Sequence, residues 1–234
     1  MRQVVLDTET TGLSWAAGDR VVEIGCVELL NRHLTGNHYH VYLNPERAMS
    51  AEAQKVHGLD DEFLADKPRF REVADDFLNF VRDSELIIHN AAFDVGFLNM
   101  ELQLTGRGSM AEYTDNVVDT VRMAKEQQPG KKASLDALCE RFGIENSHRT
   151  LHGALLDAEL LAEVYLALTR GQENLLIGFP EQDPDAANIV QKIKAAGDLK
   201  VIRASESELV AHREVLQQIA AGGQCMWLAQ GTIQ

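Results

Sequence analysis

Asp7 and Glu9 are separated by a single threonine at the end of the apolar run Val4-Val5-Leu6. Such a run reads as a buried strand, and strand side chains alternate faces with a period of two. Asp7 and Glu9 therefore point to one side and Thr8 to the other, and Gly12 closes the stretch as a turn residue. Two neighbouring carboxylates repel each other unless something positive lies between them. A divalent cation such as Mg²⁺, which prefers oxygen ligands, supplies that charge. A solvated strand end accommodates a lone Asp-x-Glu equally well, so the rest of the chain must provide further ligands.

Asp94 is the third candidate. It follows the short apolar strand Glu85–His89 and opens a helix, and strand ends are where open α/β sheets gather their sites. Asp157 falls in the first turns of the last long apolar-periodic helix, five residues after His152. Five residues on a helix lie about 140° apart. His152 must therefore sit in the loop or cap before that helix, free to lean towards the same cations. Singly, a helix-start aspartate reads as a cap and a lone histidine as a structural or surface residue. Together, Asp7, Glu9, Asp94 and Asp157 with His152 form a candidate divalent-metal site.

The elements that must position these residues follow from periodicity. After the first strand, Leu13 to Arg20 reads as a loop, Val21 to Leu30 as a second strand, Asn31 to Asn37 as a turn and His38 to Leu43 as a third strand. Short links between them predict an antiparallel meander. Met49 to Val56 reads as a helix. Phe70, Val73, Ala74, Phe77, Leu78 and Val81 recur at spacings of three and four, one face of a helix. The strand Glu85–His89 leads into a helix reaching Leu104, and Val117 to Asp119 suits another short strand. Ser134 and Gly143 are the N-cap and stop of a helix over Leu135–Phe142, and His152-Gly153 open a helix running to about Thr169. Strands first, then strands alternating with helices, predict an α/β domain with a mixed sheet flanked by helices.

Composition sets outer limits. The net charge of −14 argues against non-specific nucleic-acid binding, which relies on a basic surface, unless metal ions and a partner protein compensate. Three widely spaced cysteines, Cys26, Cys139 and Cys225, without a Cys-x-x-Cys, suit a reduced cytoplasmic protein with neither disulfide nor zinc site. Met1-Arg2-Gln3 leads straight into the first strand, so no signal peptide is expected, and no apolar run approaches a membrane span. The expected domain covers 1–171. Glycines, prolines and aspartates between 172 and 188 read as a linker, and 189–234 as a segment too short to fold easily alone. That segment is either an appendage ordered by a partner or a small independent helical hairpin. Within it, Leu199 to Ile202 is β-like, Glu206 to Ala221 is helical, and Gly222-Gly223 ends the helix.

These residues carry a resemblance. Asp7-Thr-Glu9, His89-Asn-Ala-Ala-Phe93-Asp94 and His152-x4-Asp157 resemble the three motifs of the DnaQ-like 3′–5′ exonucleases of the DEDDh type. Leu6-Asp-Thr-Glu-Thr-Thr-Gly12, Val41-Tyr-Leu43, Val56-His-Gly58, Ser134-Leu-Asp-Ala-Leu-Cys139 and Arg149-Thr-Leu-His-Gly-Ala-Leu-Leu-Asp-Ala158 are similar to the epsilon-type proofreading subunits of bacterial DNA polymerase III. The resemblance is dense over residues 2–171 and thin beyond, where Gly222-Gly-Gln-Cys-Met-Trp227 matches the C-terminus of that group.

The resemblance implies an RNase H-like fold with a mixed five-stranded sheet, and excision of mispaired 3′-terminal nucleotides from DNA. It implies two divalent ions, Mg²⁺ or Mn²⁺, held by Asp7, Glu9, Asp94 and Asp157, with Asp7 bridging. Two such ions activate the attacking water and stabilise the leaving oxygen. His152 is then the general base, since an imidazole of near-neutral pKa can take the water's proton. Asp7, Glu9, Thr10, Leu13, Val56, His57, Phe93 and Asp157 match positions that contact the terminal nucleotide; plain core packing explains Leu13, Val56 and Phe93 equally well. The implied partners are the polymerase alpha subunit, through 189–234, and a theta-like small subunit. Gln172-Glu-Asn-Leu175-Leu-Ile177 resembles a sliding-clamp-binding peptide, with Ile177 replacing an aromatic. The rival readings are a free-standing nuclease acting on RNA ends and a non-catalytic stabilising subunit.

Overall fold

The central strand, β1, spans Arg2–Thr10, and everything that builds the site is placed relative to it. The structure, a computed structural model, describes residues 1–146, 151–170 and 204–222. β2 (Val21–Leu30) and β3 (His33–Tyr42) continue from β1 as an antiparallel meander. β4 (Glu85–Ile88) then lies parallel to β1 on its other side, and β5 (Asn116–Asp119) parallel to β4. The five-stranded order is β3-β2-β1-β4-β5. This is the mixed sheet of an RNase H-like fold.

Helices cover both faces. They are α1 (Ala51–His57), α2 (Asp61–Ala65), α3 (Phe70–Val81), α4 (Ala91–Leu104), α5 (Thr120–Gln127), α6 (Leu135–Phe142) and α7 (Ala154–Leu168). The alternation of β1 sorts its side chains between two cores. Val4 and Leu6 pack with Phe77 of α3 and Phe97 and Leu98 of α4. Val5 packs with Leu138 of α6 and Leu161 and Val164 of α7. Continued to the strand end, this places Thr8 on the α4 side, and Asp7 and Glu9 on the α7 side.

Gly25 fixes how closely α7 approaches. It lies opposite Asp7 on β2. A Cβ there would stand 2.2 Å from the backbone carbonyl carbon of Ala154 and from the amide nitrogen of Leu155. The missing side chain lets the first turn of α7 rest directly on the sheet beside Asp7, one turn before Asp157. On the other face, β4 turns into α4 through Asn90, whose φ of 67° is the left-handed conformation that asparagine tolerates. That corner returns the first turn of α4, with Asp94, to the end of β1.

One expected boundary is wrong. The segment 31–37, read as a turn, is two residues of turn followed by strand, for β3 begins at His33. Asn31 (φ 49°) and Arg32 (φ 66°) make the reversal alone, as a two-residue hairpin requires. Gly36 and Asn37, which looked like turn residues, lie on an exposed edge strand that tolerates them. The helices α2 and α5 and the turn of 3₁₀-helix at Trp15–Ala17 were not anticipated.

The chain divides into two compact units, Met1–Ile177 and Gly178–Gln234. In the second, Glu206–Gly222 forms α8, started by Ser205, whose hydroxyl and amide both bond Glu208. None of its residues is buried, and Leu209, Val210, Val215 and Ile219 are about half exposed. The expected linker 172–188, the peptide Gln172–Ile177, the β-like stretch 199–202 and the Gly222–Trp227 ending beyond α8 lie outside the described residues. No helix among the described residues is long and apolar enough to cross a membrane.

Candidate functional site

The C-terminal ends of β1 and β4 open onto a cavity of 290 Å³. It is lined by Asp7, Glu9, Asp94, His152 and Asp157, with Thr8, His89 and Asp136 among its other walls. The five metal-site candidates, drawn from three separated stretches, therefore share one cavity. Within it, Glu9, His152 and Asp157 each offer a ligand atom, and these atoms all lie within 4.8 Å of one another. Two carboxylates and an imidazole at that separation can hold a divalent cation.

The two faces of the sheet contribute differently. Asp157 and His152 come from the α7 side, facing Glu9. His152 stands just ahead of the helix, with Gly153 as N-cap, and its Nδ1 lies 3.3 Å from Asp157 Oδ2. Asp94 comes from the α4 side. Its Oδ1 accepts hydrogen bonds from the Thr8 backbone N–H (3.1 Å) and hydroxyl (2.7 Å). The intervening threonine was read only as the residue on the other face; that position is what makes it the anchor of Asp94. The Asp94 carboxyl is raised to about 7, chiefly by burial and further by Asp119 at the end of β5, against the opposing hydrogen bonds from Thr8. Burial disfavours the ionised form of this carboxyl, and a positive charge beside it would favour that form.

A second cavity of 520 Å³ adjoins the first, sharing Thr8, Glu9 and Phe93 as walls. Its other walls include Thr10, Leu13, Val56 and His57, so all the expected nucleotide-contact residues line one or both cavities. Leu13 is 87% exposed and Val56 is exposed, which removes plain core packing as the account of either. Phe93 is partly buried and packs on Phe97, so it serves both the core and the cavity wall. His57 is buried. Its Nδ1 accepts the Leu59 N–H at 3.1 Å, which places the ring proton on Nε2. That Nε2 has no hydrogen-bond partner. Burial lowers the His57 pKa, and His152 lowers it further, while the Thr10 backbone and Glu23 pull the other way. A neutral imidazole with an unsatisfied N–H on an apolar cavity wall suits a polar ligand atom.

The lining of both cavities, among the described residues, includes no lysine or arginine.

Residues 4–165 match the RNase T family, described as Exonuclease. The chain is 48% identical to the DNA polymerase III subunit epsilon of Escherichia coli K12 over 237 residues, covering 97% of this chain and 98% of that one. It is 49% identical to the DNA polymerase III subunit epsilon of Rickettsia prowazekii over 224 residues, covering 94% and 97%. Among solved structures, the E. coli Exonuclease I–single-stranded DNA complex superposes with a TM-score of 0.65 at 17% identity, covering 74% of this chain and 42% of that one. The nuclease domain of 3′hExo, a DEDDh family member bound to rAMP, gives 0.63 at 16%, covering 73% and 92%. At such identities the likeness is one of fold.

Proposed function

The chain belongs to the exonuclease family and, within it, to the DNA polymerase III epsilon subunits, and its activity is their proofreading 3′–5′ exonuclease activity; we propose that this activity resides in the cavity of Asp7, Glu9, Asp94, His152 and Asp157. The observation that carries the assignment is the convergence of Glu9, His152 and Asp157 within 4.8 Å at the strand end, with Asp7 and Asp94 in the same cavity.

Two Mg²⁺ or Mn²⁺ ions bound there would neutralise the phosphate, acidify the attacking water and stabilise the leaving 3′-oxygen. Asp7, Glu9, Asp94 and Asp157 would hold such ions, their four negative charges being enough to balance two of them. His152 accepts the proton of the attacking water. Asp157, 3.3 Å from Nδ1, orients the ring and stabilises the imidazolium that forms. The phosphorus–3′-oxygen bond breaks, releasing a nucleoside 5′-monophosphate. The larger cavity takes the terminal nucleotide between Leu13, Val56 and Phe93, with His57 Nε2 and the Thr10 backbone as polar contacts. Apolar and aromatic walls stack on any base, so excision need not depend on sequence.

Asp7→Ala tests the site: it abolishes trimming of a mispaired primer end without unfolding the domain, and retained trimming refutes the assignment. His152→Ala tests the base. The rate falls steeply while Mn²⁺ affinity persists; a parallel loss of Mn²⁺ affinity makes His152 a ligand instead. Comparing DNA and RNA 3′ ends on the same protein separates the proofreader from an RNA-trimming nuclease.

Residues 189–234 serve as the docking segment for the polymerase alpha subunit, supported by the unburied apolar residues of α8. Gln172–Ile177 is a clamp-binding peptide, and a theta-like subunit binds the exonuclease domain. As a subunit of a replicase, the protein works in the cytoplasm. Removing 172–234 abolishes co-purification with the polymerase subunit; persistent binding overturns that part.

A further inference from the structure

Trp15 is a bulky apolar residue that the site just described does not use. It opens the 3₁₀ turn Trp15–Ala17, directly after Leu13 and Ser14 of the larger cavity. The turn is tightly made. The Ser14 hydroxyl accepts the Ala17 N–H, Gly18 N–H bonds the Trp15 carbonyl, and Asp19 accepts the Ser14 N–H while pairing with Arg47. The indole packs on α4 at Gly96, where a Cβ would stand 2.5 Å from its Nε1. Gly96 lies three residues after Phe93, hence on the same stretch of helix surface as the aromatic wall shared by the two cavities. Yet Trp15 remains 45% exposed. A hydrogen-bonded turn thus holds a tryptophan half in solvent, next in sequence to Ser14 of the cavity wall and packed on α4 one turn after Phe93.

We propose that Trp15 is the stacking platform for the nucleobase that precedes the terminal one, a second subsite for the unpaired 3′ strand; the proposal rests on the exonuclease reading of the adjoining cavities. The occupant follows from charge and continuity. The chain carries −14, and among the described residues no lysine or arginine lines either cavity, so a neutral contact for the next nucleotide of the strand is favoured over a cationic one. A base offers a neutral π-face instead, and an indole is a strong partner for it. A strand whose terminal nucleotide fills the larger cavity and leaves on the Leu13 side meets Trp15 as the next apolar residue along that loop.

The test uses the full chain and two substrates. The p-nitrophenyl ester of thymidine 5′-monophosphate reports the chemistry alone, and oligothymidylate reports strand binding. Trp15→Ala raises the KM for oligothymidylate about tenfold, the scale of one stacked base. It leaves turnover of the ester unchanged, and Trp15→Phe restores most of the oligonucleotide KM. If the parent protein does not cleave the ester, the exonuclease reading fails. If it does, and Trp15→Ala leaves the oligonucleotide KM unchanged, the subsite fails alone. Equal losses on both substrates make Trp15 a mere anchor of the turn and also refute the subsite. With Trp227→Phe, Trp15 is the sole remaining tryptophan of the chain. Its emission is quenched by a phosphorothioate-linked oligothymidylate well beyond the quenching by thymidine 5′-monophosphate; equal quenching overturns the proposal.

Discussion

The backbone N–H of His152 donates to the carbonyl of Val56, 3.1 Å away. This bond ties the segment carrying the proposed general base to the C-terminal turn of α1, whose Val56 and His57 line the larger cavity. Leu151 reinforces it by packing over Gly58, the C-cap of α1, with its Cδ1 2.6 Å from where a Cβ would stand. The proposed nucleotide cavity and the proposed proton acceptor are thereby tied to one short helix. Leu151→Ala loosens the tie without touching either cavity's chemistry. The expected result is a several-fold fall in kcat on the p-nitrophenyl ester with KM nearly unchanged. Because Leu151 is half exposed, stability falls by only about 1 kcal/mol. An unchanged kcat would show that α1 does not position His152.

Gly25→Ala attacks the same site from beneath. The added methyl collides with the backbone of Ala154 and Leu155 at 2.2 Å, and backbone cannot rotate away as a side chain could. The first turn of α7 must lift off the sheet, taking Asp157 and His152 from Glu9. Overpacking of this kind costs about 1–3 kcal/mol. Activity therefore disappears in a protein that still melts cooperatively, and Mn²⁺ affinity falls with it. Calorimetric titration on the variant checks this; native affinity would mean that the helix accommodates the methyl.

The Asp94 carboxyl yields a pH dependence. Its pKa is raised by burial from 3.8 to about 7, so between those values the folded protein holds a proton that the unfolded chain has released. Stability then falls with rising pH wherever the native state binds more protons. The metal-free protein should lose stability as pH rises from about 4 to about 7, and Asp94→Asn should flatten that slope. A divalent ion displaces the proton, so its affinity rises with pH through the same window. Melting curves in EDTA, and metal titrations in buffers of differing ionisation enthalpy, measure the two effects. A slope unchanged in Asp94→Asn assigns the proton elsewhere.

The division between what was legible in the sequence and what was not follows the range of the interactions. Asp7 and Glu9 could be placed on one face because strand alternation is a local rule, and α3 could be bounded at Phe70–Val81 because its apolar period is local too. The caps Ser134 and Gly143 were equally readable, since each acts within one turn of its own helix. The bond from Thr8 to Asp94 was not, because it joins residues 86 positions apart. Gly25 and Gly96 gave no signal either. Each matters through a partner, Ala154 or Trp15, that only the folded chain brings near. The hairpin at Asn31-Arg32 was misread for the opposite reason. Gly36 and Asn37 carry a strong local turn preference, which the pairing of β3 with β2 overrides.

The loop bearing Leu13 and Trp15 is clamped at its far end by the pair Arg20–Glu101. Glu101 on α4 is fully buried. Its oxygens accept from Arg20 Nε at 2.7 Å and Nη2 at 2.6 Å, and from the Val21 N–H at 3.2 Å. The Glu101 hydrogen bond raises the Arg20 pKa, so the guanidinium stays charged. Removing one partner leaves the other charge in a poorly solvated place, which costs about 3–5 kcal/mol, whereas replacing both by apolar groups is often neutral. Glu101→Ala should therefore lower the urea midpoint strongly, and the double variant Arg20→Met with Glu101→Leu should recover most of it. Activity need not recover in step. In the double variant the core is restored, but the directional bonds that hold the loop against α4 are gone. The KM for oligothymidylate should stay elevated while turnover of the ester returns. Full recovery of both would show that packing alone, without the ion pair, sets the loop.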